Sequence, residues 1–360
     1  MTTEPPPPGV ATSLADGDLV AVGAGLDYVS VSADRATPVQ DALDLVDRAG
    51  GGHVYLPPGE TRNEGTVRPH RNTGLYGFGM DVSALKITGA GADGIRFDQP
   101  GRAHWVTLDG FELRGPGPDG PTGAAIHFVD TGASPASDPA DFRVGHLYCR
   151  QWNDAVYLVD EGVGPFQCRH QFLRADDCDA GGARALIDWR STYGPANWFG
   201  TVISYPTDRY SGRNTRVLGQ RGGELAIDDI SVGGTAGRMV GKRAGRLRVG
   251  RLHYEPERQP AVPESLVRLG GVGQTRIEDV IVDAGAVERV YELRDRAGDA
   301  VLFRPTTARG AVRRAVLEIT GPLHPEHRSW YFGSADDVRV QESRATGSLR
   351  VMGEAGEGMG

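Results

Sequence analysis

Along the middle of the chain the apolar residues fall into two short phrases that keep recurring. The first is an apolar-x-apolar unit, found at Ile95/Phe97, Ile126/Phe128, Val156/Leu158 and Ile187/Trp189, again at Val267/Leu269, Tyr291/Leu293 and Leu317/Ile319, with weaker copies near Val217 and Met239. From Ile95 to Val217 its intervals are 31, 30, 31 and 30 residues. The second phrase is apolar-x-apolar-x-x-apolar-x-apolar: Val106, Leu108, Phe111, Leu113; Phe142, Val144, Leu147, Cys149; Leu225, Ile227, Ile230, Val232; Leu247, Val249, Leu252, Tyr254; and Thr275, Ile277, Val280, Val282. Successive side chains of a strand point to opposite faces, so a period of two predicts strands, and the two-residue skip predicts a bend between two of them. Each repeat then holds about three short strands.

Three apolar pairs, Val217 with Ile227, Met239 with Val249 and Val267 with Ile277, keep an offset of ten while the repeat around them changes from 22 to 28 residues. Stacked coils behave this way, because strands keep their register and loops absorb the insertions. The fold expected is all-β: a single-stranded right-handed parallel β-helix, a solenoid of about nine or ten coils roughly 45 Å long at the ordinary strand spacing. A propeller needs longer blades, and the leucine-asparagine frame of a leucine-rich repeat is absent. Fifty-two glycines and 23 prolines, with 7% aromatic and 24% charged residues, suit many short strands joined by turns.

The amino-terminal part reads differently. Thr37-Pro38 has the form of a helix cap followed by a first-turn proline, and Val39, Ala42, Leu43, Val46 and Ala49 share one helical face, which predicts a capping helix over residues 38–49. Gly50-Gly51-Gly52, the strand His53-Val54-Tyr55-Leu56 and the corner Pro57-Pro58-Gly59 follow. A helix over the open end of a coil protects it from edge pairing. This run resembles the opening of the pectate-lyase-like β-helix superfamily, which includes secreted polysaccharide lyases and hydrolases as well as virus tail spikes and fibres. Glu60-Thr61-Arg62-Asn63 stands where the family usually has an aromatic, and five asparagines leave little material for its internal asparagine ladder. The expected division is an arm or attachment segment over residues 1–36, the helix-capped solenoid over 37–320, and a last coil or coils with a loose Gly- and Glu-rich tail over 321–360.

Charge narrows the partners. Net charge is -8, which argues against nucleic acid, and no apolar stretch of membrane-spanning length occurs. Lys86 and Lys242 are the only lysines, so 37 of 39 basic residues are arginine, which suggests a GC-rich genome of halophilic or actinobacterial setting. Cys149, Cys168 and Cys178 are odd in number and read as small core residues or free thiols. Phosphate loops, zinc spacings and nucleophile elbows are missing.

Four groups carry candidate chemistry. Asp176, Asp177 and Asp179 lie in a glycine-rich turn, where carboxylates solvate a turn, or in the alternative hold Ca2+ or serve as acid and base. Asp109, Asp228, Asp229, Glu278 and Asp279 all occupy the skip of the second phrase, so they recur because the bend recurs. His253-Tyr254-Glu255-Pro256-Glu257 leads from a strand into a proline-rich excursion, a place where solenoids carry binding sites, with Glu255 and Glu257 as alternative catalytic acids. Trp152, Trp189, Tyr193, Trp198, Tyr205 and Tyr210 cluster on neighbouring coils. Trp189 belongs to the core phrase, whereas Tyr193, Trp198, Tyr205 and Tyr210 are candidates for stacking on sugar rings.

Neither the carboxylate-and-base sets of calcium-dependent lyases nor the paired-aspartate motif of polygalacturonases is present. Met1 to Asp34 lacks Lys, Arg and a continuous apolar run, so no secretory signal is read there. Together these favour a non-catalytic protein of the virion surface, assembled in the host cytoplasm: a tail spike, fibre or capsid projection whose binding face is Tyr193, Trp198, Tyr205, Tyr210, His253, Tyr254 and Glu255. Its expected partners are itself, as the homotrimer the resemblance implies, other virion proteins, and a host glycan or glycoprotein, with no cofactor. The alternative is an extracellular polysaccharide lyase or glycoside hydrolase using Glu255, Glu257, Asp176 or Asp177.

Overall fold

The computed structural model describes residues 14, 16–23, 28–98, 104–117, 122–132, 140–181, 185–194, 196–206, 215–233 and 236–255, and beyond them strand segments as far as 359. Two long sheets of mostly parallel strands run through it. One comprises Gly52–Tyr55, Thr73–Tyr76, Thr107–Asp109, Arg143–Arg150, Arg169–Cys178, Asn197–Pro206, Glu224–Val232, Arg246–Tyr254, Thr275–Val282 and Val301–Phe303 in spatial order, with a branch of Gly59–Asn63, Ser83–Ile87 and Phe111–Arg114. The other has ten strands, from Ile95–Phe97 to Val338–Glu342. Strands alternate between the two sheets along the sequence, the arrangement a β-helix requires.

The skip of the second phrase is a bend. Thr107–Asp109 and Phe111–Arg114 are separate strands, yet both pair with the single bent strand Arg143–Arg150. Each position of the phrase forms a column through the coils: Leu225, Leu247 and Thr275; Ile227, Val249 and Ile277; Ile230, Leu252 and Val280; Val232, Tyr254 and Val282. Between Arg143–Arg150 and Glu224–Val232 lie two coils that the pattern does not show, carrying His170, Leu173 and Ala175, then Phe199, Val202 and Ser204, in the same columns. His170 and Ser204 are buried polar residues standing where the phrase calls for apolar ones.

The first phrase slips by one residue in three coils. Its strands exist, but the ladder sets Tyr157 beside Ile126 and Ile187, and Val159 beside Phe128 and Trp189, where alternation picks Val156 and Leu158. All five residues of Ala155–Val159 are buried, so nothing in the strand separates its two faces. The next coils align Leu218 and Val240, in place of Val217 and Met239, and set the buried Gln220 beside Trp189. Gln220 is tolerated there because Nε2 donates to the carbonyls of Gly222 and Arg246, each at 2.9 Å.

At the amino-terminal end the helix Pro38–Arg48 buries Val39, Ala42, Leu43 and Val46. Thr37 precedes it but makes no side-chain cap. Buried Asn63 does this instead, accepting from the Val39 N–H (3.2 Å) and donating to Gly65 O (3.1 Å), which ties the helix to the first coil. Asn63→Ala leaves these backbone groups unpartnered, and a loss of about 2 kcal/mol in unfolding free energy is expected from urea denaturation. Within residues 1–36, expected as an arm or attachment segment, the strand Leu19–Gly23 pairs antiparallel with Val29–Val31 and with Gly52–Tyr55. Gly52 has φ +154°, and a Cβ there would strike Val22 O, so the close approach of these strands requires glycine. At the other end Gly358–Met359 pairs with Arg350–Met352, so part of the expected loose tail is a strand. Among the described residues no helix is long and apolar enough to cross a membrane.

Candidate functional site

The outward residues of the first sheet form columns as regular as the inward ones. One column runs Glu112, Tyr148, Arg174, Ile203, Ser231, His253, and its neighbour runs Arg62, Lys86, Arg114, Arg150, Asp176, Tyr205. The second continues past Tyr205 through Gly233 to Glu255, whose N–H donates to Val232 O at 2.8 Å. Asp176, Tyr205 and Glu255, about 80 residues apart in sequence, thus share one strip across consecutive strands, with His253 alongside.

At the centre of the strip Tyr148 Oη donates to Asp176 Oδ2 (2.9 Å), and the same oxygen accepts from Arg174 Nε (2.9 Å) and Nη2 (2.6 Å). The Arg174 guanidinium carbon lies 5.0 Å from the centre of the Tyr148 ring and 5.8 Å from that of Tyr205. A cation between two phenol faces holds both rings in place. Burial and then the Asp176 carboxylate push Tyr148 up to about 12, so its hydroxyl stays protonated at neutral pH. Asp176 Oδ1 is buried and has no hydrogen-bond partner. Tyr205 is 41% exposed, and its ring lies over Gly233, where a Cβ would come within 2.6 Å of Cε1.

The strip is basic towards the amino-terminal end. Arg114 pairs with Glu112 and Glu60, each at 2.7 Å, and the Lys86 ammonium reaches the Gly115 carbonyl. Burial, then the neighbouring Arg114, lowers Lys86 from the usual lysine range. Arg150 is exposed and forms no ion pair with a described carboxylate. Towards the other end His253 Nε2 lies 3.8 Å from Glu255 Oε2, and its Nδ1 lies 3.4 Å from Ser231 Oγ.

The remaining candidates separate. Tyr193 is 56% exposed in a turn outside the strip. Trp198 is half-buried and donates from Nε1 to Asp228 Oδ2 (3.0 Å), which fixes its ring across Gly200. Tyr254, expected on the binding face, is fully buried: it is the last inward position of its phrase, so its side chain belongs to the core. Asp176, Asp177 and Asp179 do not converge as a metal site, and no group of three or more His, Cys, Asp or Glu does so among the described residues. Asp177 takes a left-handed backbone (φ 51°) at an irregularity in the ladder, and Asp179 is buried and accepts from the Ala180 N–H (2.6 Å), while Asp176 faces out to Tyr148. Asp109 accepts from the His146 N–H and Asp229 pairs with Arg251, so these members of the skip group serve the bend. Cys149, Cys168 and Cys178 are buried and free. Tyr210 and Glu257 lie outside the described residues.

Sequence reasoning missed Tyr148 and Arg174. The signal was available: both are the single outward residue between the last two apolar positions of a phrase, and the column follows once the coil of Leu173 and Ala175 is recognised.

No protein-family profile matches the chain, and no solved structure matches it. Over 85 residues it is 38% identical to the mannuronan C5-epimerase AlgE6 of Azotobacter vinelandii. The match takes in 22% of this chain and spans 9% of the length of that protein.

Proposed function

We propose that this protein is a glycan-binding solenoid, a receptor-binding rod of a virion surface such as a tail spike, fibre or capsid projection. The observation that carries the glycan reading is the outward strip in which Arg150, Arg174, Asp176, Tyr205, His253 and Glu255 follow one another along the stack. A sugar polymer laid along the stack meets a new donor, acceptor or ring face at each strand step. The placement on a particle, the homotrimer and the right-handed course of about nine or ten coils come from the β-helix resemblance.

A second reading, a polysaccharide-modifying enzyme, is favoured by Tyr148 and by the stretch shared with a mannuronan epimerase. A phenol kept protonated beside a guanidinium, facing solvent across a carboxylate, has the parts of a proton donor to an anionic sugar.

Incubation with purified surface polysaccharides, followed by gel filtration and by product analysis for shortened, unsaturated or epimerised chains, separates the two. Intact chains that bind support the rod, altered chains support the enzyme, and neither binding nor alteration rejects both. Arg174→Ala and Tyr205→Ala should each weaken binding about tenfold. Tyr205→Ala should change stability little, since its ring is exposed, whereas Arg174→Ala also removes two hydrogen bonds to Asp176 and should cost about 1 kcal/mol.

A further inference from the structure

A separate feature lies at the turn that opens each strand of the first sheet. Five consecutive coils place a left-handed residue at the same register: Asn72 (φ 58°), Trp105 (56°), Asp141 (55°), Gln167 (56°) and Ala196 (58°). The ladder confirms the stacking, with Asn72 N–H donating to His104 O and Trp105 N–H to Ala140 O, each at 3.1 Å. Asparagine and aspartate adopt this conformation readily, because a short polar side chain satisfies the local backbone. A tryptophan does not, and a bulky residue at positive φ is retained against a conformational cost.

Burial does not explain the retention, since Trp105 is 49% exposed. Its ring carries the Arg71 guanidinium, 4.6 Å from the centroid, and the His104 ring at 6.0 Å. The next two coils bring Arg143 beside Thr107 and Arg169 beside Arg143, both exposed, and neither forms an ion pair with a described carboxylate. Like charges in register on adjacent strands repel, so the Arg143–Arg169 pair is a second cost at the same edge. Asp141, two residues before Arg143, is the nearest opposite charge to it in sequence.

We propose that Trp105, Arg71, Arg143 and Arg169 form a binding site for a carboxylate-bearing sugar unit. The indole supplies a stacking face, and the guanidinium groups supply paired donors that match a carboxylate in shape and charge. The site is independent of the Tyr148–Glu255 strip and does not rest on that strip's function.

The test is calorimetric titration with trigalacturonate and with its methyl ester, which has the same rings without the charge. Wild type should bind the acid and bind the ester at least about tenfold more weakly. Trp105→Asn should lose about tenfold in affinity while its apparent Tm stays equal or rises, because asparagine relieves the backbone. The double change Arg143→Ser/Arg169→Ser should lose affinity as well, and Tyr205→Ala should bind as wild type does. The proposal is overturned if wild type binds acid and ester equally or not at all. It also falls if Trp105→Asn retains full affinity or lowers the Tm, or if only Tyr205→Ala loses affinity.

Discussion

Acidification from about pH 7 to about pH 4.5 is expected to remove about 3 kcal/mol of folding stability through one residue, His170. Its ring is fully enclosed, stacked on Phe199 with centroids 4.1 Å apart and edge-on to Tyr157 at 5.0 Å. Burial pushes it down to about 3, against which the Trp198 carbonyl, 3.3 Å from Nδ1, is a small compensation. In the unfolded chain the imidazole takes up its proton near its ordinary value of 6.5, whereas the folded one stays neutral to about 3. The unfolded state binds more protons throughout that interval, so stability falls by about 1.4 kcal/mol for each unit of acidification. Nε2 has no hydrogen-bond partner, so His170→Phe keeps the stack and removes an unsatisfied atom. This variant should be about as stable as wild type at neutral pH and should lose the slope between about pH 6.5 and 4.5. Urea midpoints of the two proteins across that range check it, and parallel profiles would show that His170 is not the group responsible.

His170 also shows why the sequence was readable only in part. The columns of Ile227, Ile230 and Val232 were legible because in three successive coils every position of the phrase is apolar or threonine. The preceding coils fill the same columns with His170 and Ser204, and a rule based on apolarity passes over them. The error at Ala155–Val159 has the opposite origin. Leu158 faces away from the main core yet is covered by Ala124 and Ala155, so both faces of that strand read as inside. An alternating pattern reports burial on one face, and it loses the register wherever a polar residue is satisfied inside or an apolar one is sheltered outside.

The site was legible in the same uneven way. Asp176, Tyr205 and Glu255 stood out as acids and aromatics near turns, but as members of separate clusters. What joins them is the stack, in which residues 29 and then about 50 positions apart become neighbours along one strip. Tyr254 was misplaced because proximity in sequence to Glu255 outweighed its own position in the phrase, although adjacent strand residues face opposite ways. Trp105 left no mark at all, since its distinguishing property is a backbone angle.

Raising the pH should weaken the fold by a second route, on the outward face of the other sheet. His127 lies between two carboxylates, with Nδ1 3.0 Å from Asp93 Oδ2 and Nε2 3.4 Å from Asp160 Oδ1. Its burial alone would favour the neutral ring, but the hydrogen bonds and charges of Asp160 and Asp93 outweigh this and hold it at about 9. Both carboxylates are correspondingly kept below their ordinary range. Arg96 also reaches Asp93 (3.0 Å), which in turn accepts from the Ala124 N–H (2.8 Å), so the cluster fastens neighbouring coils together. A group raised in the folded state contributes fully below its unfolded value, near 6.5, and loses that contribution as the pH climbs to about 9. The loss is about 3 kcal/mol, roughly equal to that of His170 and opposite in direction, so the two limbs meet in a stability maximum near the shared unfolded value. His127→Gln keeps an amide between the carboxylates but cannot carry charge, so it should lower stability at neutral pH and abolish the alkaline limb while leaving the acid limb intact. Denaturation of wild type and His127→Gln at about pH 6.5 and about pH 9.5 decides it, because an undiminished alkaline slope in the variant would exclude His127 as the source.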